Sequence, residues 1–432
     1  MQSRRFDHDR GSSPIVILVA LVTIVLAAPT ASLAKHRVTV MTRNLYLGAD
    51  LSPAINATST NDFIRKNGQI LRDVDTNDFP VRARGLANEI LAKDPDLVGL
   101  QEVALWRTGP VNDLAPITHD LTATTVTHDC LQLLLAALNQ GRERYRVVAV
   151  QTELDFEAPA DYDGVAGDGD LPGLNDDGEL NGRLTMPDVI LARTGGNVKT
   201  ANATGGHYQT LYTPVISGIP VTVERGWTQA DARVRGSGWF RFVNTHLEAF
   251  GDPTIREAQA EELVAPGGAA TGDLPVILVG DLNSDDDTVQ GGDRLAYQAL
   301  TDAGFGERST DDPLSCCLDT SILTDDFGSV SDFDHQVDHV LTNESNVELP
   351  ELVGGAGRQP VNGYWDSDHA GLFSALRVPW LRPAASRRRE AGSATAAKLR
   401  PRRVGARPER ASSSRAGDRG RTGDLVLGKH TL

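Results

Sequence analysis

Two polar side chains, Asp281 and Asn283, follow directly after an unbroken aliphatic run and stand two residues apart. The run, Val276–Val279, predicts a strand that is buried on both faces. Gly280 then allows the backbone to turn, so that both polar side chains point to the same side at the strand end. Catalytic groups are often found where strands open into loops, although an ordinary Asx turn would leave the same pattern.

Carboxylate, amide and imidazole side chains stand within or beside other predicted strands as well. Each one alone is compatible with a turn former, a helix cap or a buried histidine. Strands of one sheet can carry widely separated residues into a single cleft, so the recurrence predicts one shared site. The residues that follow this pattern are Asn44, Glu102, His246, Asp281, Asn283, Asp338, Asp368 and His369.

This set of side chains suits the hydrolysis of a phosphate ester. Carboxylate and amide oxygens are hard ligands, which favour Mg²⁺, Mn²⁺ or Ca²⁺ over zinc. A divalent cation held by Glu102, with Asn44 and Asp368 as further candidates, would neutralise the phosphate and stabilise charge in the transition state. His246 and His369 can donate to phosphate oxygens or exchange protons near neutral pH. The sequence therefore predicts a metal-dependent phosphoesterase.

Aliphatic strands that alternate with helical patterns predict an α/β domain that positions these side chains. Helices are expected at Asn61–Asp73, Pro80–Lys93, Pro253–Leu263 and Asp293–Ala303, and towards the end of Asp120–Gln140. Strands are expected at Val38–Met41, from Asp96, and at Tyr145–Val150, Pro187–Arg193, Val215–Glu224, Trp239–Asn244, Val276–Val279, Gln336–Leu341 and Ala370–Val378.

Six segments contain the polar residues, and in chain order they are NLYLGAD, LVGLQEV, FVNTHLEA, VILVGDLNSD, QVDHVL and SDHAGL. In this combination they resemble the motifs of the endonuclease/exonuclease/phosphatase superfamily, which includes deoxyribonuclease I, bacterial sphingomyelinases and inositol polyphosphate 5-phosphatases. The resemblance spans about Val38 to Val378. It implies a four-layer α/β sandwich, in which two mixed β-sheets pack face to face with helices outside.

The resemblance also implies which residues hold a metal ion. Glu102 matches the principal metal ligand, and Asn44 matches a residue that assists the metal or the phosphate. Asp368 fits a carboxylate of the metal site. The ion is expected to be Mg²⁺ or Mn²⁺, with Ca²⁺ as a further option.

The catalytic roles follow in the same way. His246 resembles the histidine that contacts the scissile phosphate. Asp281 resembles the aspartate that orients or deprotonates the attacking water, and Asn283 resembles the neighbour that holds the phosphate. His369 resembles the second catalytic histidine, polarised by Asp338.

Two positions depart from the family pattern. His339 stands where many relatives have an aromatic or other residue, and we interpret it as structural. The tyrosine that often touches phosphate in the family has no clear counterpart, and Tyr145 and Tyr208 are the candidates.

The sequence leaves the identity of the ester open. A nuclease is predicted first, given the breadth of that activity in the family, and it requires basic side chains at the cleft, such as Arg43, Arg183, Arg193 and Arg225. A sphingomyelinase-like phospholipid phosphodiesterase or a phosphoinositide phosphatase is the alternative, although only 5% of the residues are aromatic. A non-catalytic binding module would have lost motif residues, and all are present. We infer no stable protein partner and expect a monomer.

The N-terminal residues have the composition of a targeting segment. Arg4 and Arg5 precede the apolar stretch Pro14–Pro29 and a small-residue site, which predicts a secretory signal peptide over residues 1–34. An uncleaved membrane anchor is the alternative, but the stretch is shorter than the ~20 residues that a spanning helix needs. The protein is therefore expected to be secreted, with its catalytic domain at residues 35–380.

The C-terminal residues 381–432 are predicted to form a basic, disordered tail. Residues 382–432 contain 14 Lys/Arg and 4 Asp/Glu, a net charge of +10, so the formal charge of −16 for the chain leaves −26 for the remainder. So acidic a body excludes a general binder of nucleic-acid backbone, but it is compatible with a nucleic-acid substrate held at one local site through a metal.

An acidic insertion at residues 159–182 offers a possible calcium loop. Asp168, Asp170, Gly173 and Glu179 stand at positions of such a loop, but Pro172 occupies one that needs an oxygen ligand, so a solvated loop is favoured.

The three cysteines of the chain lack the spacing of a zinc site. An exported protein could pair Cys130 with Cys316 or with Cys317, leaving one over.

Overall fold

The computed structural model describes residues 37–165, 179–195, 197–285, 292–307, 314–318, 333, 335–343 and 365–377. The predicted signal peptide, the basic tail and the calcium-loop residues Asp168, Asp170 and Gly173 lie outside the described residues. No helix in the described part of the chain is long and apolar enough to cross a membrane.

The first sheet has seven strands and is mixed. They are β1 (Arg37–Asn44), β2 (Leu97–Gln101), β3 (Leu105–Gly109), β4 (Thr125–Asp129), β5 (Tyr145–Ala160), β6 (Leu180–Arg193) and β15 (Leu372–Arg377). Their order is β15-β1-β2-β6-β3-β4, and β5 also pairs with β6. Because β1 and β2 run parallel, Asn44 lies opposite Gln101, one residue before Glu102.

The second sheet has six strands and is also mixed. They are β7 (Val198–His207), β10 (Gly226–Val234), β11 (Phe240–His246), β12 (Val276–Asp281), β13 (Gly306–Glu307) and β14 (Asp338–Thr342). Their order is β13-β14-β12-β11-β10-β7. A separate hairpin joins β8 (Val215–Ile216) to β9 (Ile219–Pro220).

Helices cover the outer faces of both sheets. They are α1 (Ser52–Ile55), α2 (Thr60–Thr76), α3 (Phe79–Lys93), α4 (Ala115–Thr118), α5 (Cys130–Leu138), α6 (Pro253–Val264) and α7 (Leu295–Asp302). Apolar side chains of α2, α3 and α5 pack on the first sheet, and those of α6 and α7 pack on the second. A third apolar cluster lies between the two sheets. The expected four-layer α/β sandwich is therefore confirmed.

The two sheets approach each other closely at Gly99 of β2. A Cβ atom added there would lie against Asn244 Oδ1 and 2.6 Å from Val279 Cγ2, both from the second sheet. The same Asn244 oxygen accepts a hydrogen bond from Gln101 Nε2 at 2.5 Å. A buried polar contact thus holds the two sheets together near the strand ends that carry Asn44 and Glu102.

Most predicted elements are present, but the region predicted as the strand Val215–Glu224 differs. It contains only the two short strands β8 and β9, because Ser217 and Gly218 both have positive φ and turn the chain. The strands β3, β4, β7, β10 and β13 were not predicted, since their sequences lack long aliphatic runs.

The cysteines are arranged differently from either pairing that the sequence suggested. Cys130 is buried and free at the start of α5, and burial raises the pKa of its thiol to about 12. Cys316 and Cys317 form a disulfide between neighbours instead. The sequence could not show this, because the distance from α5 to these cysteines depends on how the layers pack.

Replacing Gly99 with Ala tests the contact between the sheets. The added methyl group should press on Asn244 and Val279 and disturb the bond from Gln101, which should cost about 1–3 kcal/mol of unfolding free energy. Urea denaturation would measure the loss. Val126→Ala, at an exposed position of β4, is the control and should change stability by less than about 0.5 kcal/mol. Equal stability of the Gly99→Ala protein would contradict the close approach.

Candidate active site

Three polar residues lie side by side on adjacent strands of the second sheet. His246, at the end of β11, pairs with Asp281, at the end of β12, and Asp281 pairs with Asp338, at the start of β14. All three are buried. The strand pairing alone therefore places one imidazole and two carboxylates side by side on three adjacent strands, at the same end of those strands.

Asp281 is the centre of this arrangement. Its Oδ1 accepts a hydrogen bond from the backbone N–H of Asn283 at 2.9 Å, and its Oδ2 accepts one from Asn44 Nδ2 at 3.0 Å. The same Oδ2 lies 3.7 Å from Nε2 of both His246 and His369. Because Asn44 belongs to the first sheet, the two sheets meet at this carboxylate.

The tautomer of His246 follows from its neighbour Arg225. Nδ1 of His246 lies 2.9 Å from the Arg225 guanidinium, which can only donate, so this nitrogen accepts and Nε2 carries the proton. Burial, Arg225 and His369 together hold the pKa of His246 well below its usual value. His246 is therefore a neutral imidazole that directs an N–H towards Asp281.

His369 has the opposite protonation state. Its Nδ1 donates to Asp338 Oδ2 at 2.8 Å. Burial alone would lower the pKa of His369, but Asp338, Asp281 and Asp368 outweigh it and raise the pKa well above its usual value. Two titratable groups whose pKa values are driven apart are typical of an acid and a base at one site. The predicted pairing of His369 with Asp338 is present.

The carboxylates predicted to bind metal lie beside this centre. Glu102 has a positive φ of 54°, and its Oε2 accepts from the backbone N–H of Leu47 at 2.8 Å. Burial raises the pKa of Asp368 to about 7, His369 lowers it and Glu102 raises it. Two carboxylates that repel one another in a half-buried site fit a hard divalent cation, which would relieve the repulsion.

Asn44 stands between the carboxylates and Asp281. Its Oδ1 accepts from the backbone N–H of Tyr46 at 2.8 Å, while its Nδ2 bonds Asp281. Only the second lone pair of Oδ1 is left for a metal ion. A closer set of ligand atoms, within 4.8 Å of one another, comes from Asp281, Asp338 and His369. The roles of all these residues as ligands stay predictions.

Four further charged residues near the centre were not singled out as catalytic from the sequence. Arg225 orients His246 and lies 3.6 Å from Glu248 Oε2. Glu153 and Asp188 are fully buried, and within the described parts of the chain no hydrogen bond reaches any of their four carboxylate oxygens. Burial raises the pKa of both. Asp188 could have been noticed in the sequence, because it is an acidic residue inside the otherwise aliphatic strand segment PDVILAR.

The positions that departed from the family pattern are structural. His339 is held by Glu307 at 2.7 Å and by the Ser284 carbonyl at 3.0 Å, as the structural interpretation expected. Tyr145 donates to the Pro95 carbonyl, and Tyr208 bonds Thr245. Neither tyrosine lines the cavity described next, so neither fits a phosphate contact.

A cavity of about 180 Å³ opens onto these side chains. Six of the predicted site residues line it, while Asn44 and Asp338 contact it through Asp281 and His369. The six are Glu102, His246, Asp281, Asn283, Asp368 and His369. The structure therefore brings all eight predicted residues into one place, as strand ends from both sheets.

Comparison with known proteins gives one family and several similar structures. The model of the endonuclease/exonuclease/phosphatase family matches residues 67–369. A family protein from Bacteroides thetaiotaomicron is 16% identical, with a TM-score of 0.44, over 79% of this chain and 97% of that one. The mannosyl-6-phosphatase of the same organism is 16% identical, with a TM-score of 0.43, over 78% and 99%.

The human Nocturnin catalytic domain is 15% identical, with a TM-score of 0.39, over 79% of this chain and 94% of that domain. At these identities and TM-scores the similar structures say nothing about the substrate. A search of curated proteins finds no significant match.

The raised pKa of Asp368 predicts a pH-dependent stability. Its folded value of about 7 lies above the usual value of 3.8, so between these pH values the folded carboxyl keeps a proton that the unfolded chain has lost, and stability falls as the pH rises towards 7. In metal-free protein, Asp368→Asn should therefore gain stability relative to the unchanged chain as the pH rises from 5 to 8.

Denaturant unfolding at several pH values would measure this difference. The surface variant Asp120→Asn serves as the control and should show no such trend, because Asp120 is exposed. A stability difference for Asp368→Asn that stays constant from pH 5 to 8 would contradict the burial of this carboxyl among like charges.

Proposed function

This chain belongs to the endonuclease/exonuclease/phosphatase family and hydrolyses phosphate ester bonds, and we propose that it is a secreted, divalent-metal-dependent phosphodiesterase. One observation carries the proposal: Oδ2 of a single carboxylate, Asp281, lies 3.7 Å from Nε2 of both His246 and His369. Such a centre can take a proton from water on one side while donating to a phosphate on the other.

Asp281 is the proposed general base. Burial raises its pKa to about 6, His369 opposes that effect, and Asp338 adds to it. The group is therefore ionised near neutral pH yet basic enough to accept a proton. As the water oxygen forms a bond to phosphorus, its proton passes to Asp281, and the bond from phosphorus to the leaving oxygen breaks.

His246 and His369 are placed to hold the phosphate oxygens. The neutral His246 offers Nε2–H, and the protonated His369 offers Nε2–H with its charge supported by Asp338. Asn283 spends one amide hydrogen on the Leu247 carbonyl at 3.0 Å, which fixes its orientation and leaves the other for the phosphate. A divalent cation bound by Glu102 and Asp368 would supply positive charge for the phosphate oxygens and the leaving group.

The arginines near the site bear on whether the ester belongs to a nucleic acid or to a phospholipid. The four arginines that a nuclease would need are engaged in the fold. Arg43 is fully buried with Glu89, and Arg225 holds His246. Arg183 pairs with Asp155, and Arg193 pairs with Asp94 and Asp96. Of the four, Arg225 alone lines the cavity, so the nuclease prediction loses most of its expected basic contacts and a phospholipid-type phosphodiester becomes an equal candidate.

The catalytic assignment is tested by comparing two buried histidines. His369→Gln should lower kcat about 10²–10⁴-fold, because it removes the charged donor at the phosphate. His339→Gln is the matched control, since His339 is equally buried but bonds Glu307 and Ser284 and does not line the cavity, and it should cost stability rather than turnover.

Turnover would be followed with bis(p-nitrophenyl) phosphate and Mg²⁺, and folding by circular dichroism. A folded His369→Gln enzyme with more than a tenth of the original kcat would refute the assignment. The Asp281→Asn protein should lose activity to a similar extent, because its amide cannot accept the proton from water.

The metal proposal is tested by removing the ion. Exhaustive treatment with EDTA should abolish turnover, and Mg²⁺ or Mn²⁺ should restore it. Glu102→Gln should raise the cation concentration needed for half-maximal activity at least tenfold, because it removes a charged ligand. Full activity after chelation would exclude a metal role for Glu102, and recovery with Ca²⁺ alone would change the choice of ion.

A further inference from the structure

The cavity at the catalytic centre extends well beyond the catalytic side chains, and most of that extension is apolar. One wall comes from β5 and β6, which are long, paired strands. Leu154, Phe156 and Ala158 alternate along β5, and Leu184 and Met186 alternate along β6. Because residues two apart share a face, both strands present an apolar stripe to the same space.

The opposite wall comes from α1 and α2. Ala54 and Ile55 of α1 and Phe63 and Ile70 of α2 face the cavity. Trp106 also lines it, and its indole N–H is already used on the Leu47 carbonyl at 2.8 Å. The walls therefore offer apolar surface with few polar groups for a sugar or a second phosphate to contact.

Small and partly exposed residues keep this space open. Ala54 and Ala158 add only methyl groups to the lining, whereas the space beside Gly182 of β6 is filled by Leu71. Leu154 and Phe156 are only partly buried. Partly exposed aliphatic and aromatic side chains that face a cavity next to catalytic groups mark a ligand surface.

We propose that this cavity is the subsite for an apolar substituent of the substrate, so that the enzyme acts on phosphodiesters that carry an alkyl chain. The inference rests on the proposed phosphodiesterase function. The same cavity is lined by His246, Asp281 and His369, so one ligand can place its phosphate at the catalytic centre and its chain against the apolar side chains that line the rest of the cavity.

The size of the cavity fits this occupant. A cavity of roughly 150 Å³ lined by apolar side chains holds a benzene molecule, and this one is about 180 Å³. This volume includes the part lined by the catalytic side chains, so beside the phosphate it accommodates a few methylene groups. A nucleic-acid strand would leave these walls uncovered or would bury polar sugar atoms against them without hydrogen bonds, which is unfavourable.

A series of alkyl p-nitrophenyl phosphodiesters with methyl, butyl, hexyl and octyl chains tests the proposal. With the purified protein and Mg²⁺, kcat/KM should rise about threefold to fourfold for each methylene that enters the cavity. The rise should level off once the chain fills the space. A kcat/KM that does not depend on chain length would overturn the proposal, while hydrolysis of the methyl ester would still support the proposed function.

Two variants locate the effect in the cavity. Ala158→Phe should fill the space and reduce the ratio of kcat/KM between the hexyl and methyl esters at least tenfold. Leu184→Ala should enlarge the space and shift the preferred chain to octyl. Val150→Phe, at a position of β5 that is 48% exposed and away from the cavity, is the matched control and should leave the ratio unchanged.

A binding measurement separates this inference from catalysis. Hexyl methyl phosphate should quench the tryptophan fluorescence and bind at least tenfold more tightly than dimethyl phosphate, because Trp106 lines the cavity. Chain-dependent binding without hydrolysis of any ester would refute the proposed function alone. Equal binding of both diesters would refute the subsite.

Plasmid DNA and sphingomyelin vesicles distinguish the natural sources of the ester. Turnover of DNA that exceeds that of every alkyl ester would overturn the proposal and support a nuclease. Turnover of sphingomyelin at a rate above that of DNA would support a lipid as the source of the alkyl chain.

Discussion

The pairing of β12 with its two neighbours is the constraint on which the site depends. Parallel pairing with β11 places His246 beside Asp281, and antiparallel pairing with β14 places Asp338 on the other side. A shift of one residue in either register would turn the affected side chain to the opposite face of the sheet. The aliphatic residues of β12 are buried on both faces, so any such shift would also expose or misplace core side chains. Core packing therefore fixes the catalytic geometry.

The second constraint is electrostatic, because the site gathers carboxylates in a poorly hydrated place. Asp281 and Asp368 are held at pKa values of about 6 and about 7, mainly through burial. Ion pairs and hydrogen bonds offset part of that cost: Arg225 lies beside Glu248, and His369 lies between Asp338 and Asp281. Glu153 and Asp188 have no such contact among the described residues. A site with an excess of unpaired acid is one that a cation stabilises.

The sequence predicted the fold and the site to different depths. Long aliphatic runs such as Val276–Val279 and amphipathic helices gave the correct element types, and the motif order gave the four-layer architecture. The strands β3, β4, β7, β10 and β13 escaped prediction because they gain their stability from neighbouring strands rather than from local composition. The contact of Arg225 with His246 and the buried acid Glu153 escaped for a related reason. Their importance comes from what they contact across the sheets, and contacts between distant segments leave no local pattern.

Whether an arginine can bind the substrate depends on its position in the fold more than on its residue type. From the sequence, Arg43, Arg183, Arg193 and Arg225 were candidates for binding a polyanion. In the structure each is held by acidic or histidine side chains of the protein itself. Because these four arginines already contact side chains of the protein, they contribute little positive potential that could attract a nucleic-acid backbone. Recognition must then come from other surface next to the catalytic centre, and the apolar lining of the cavity, to which α1, α2, β5 and β6 contribute, is the candidate.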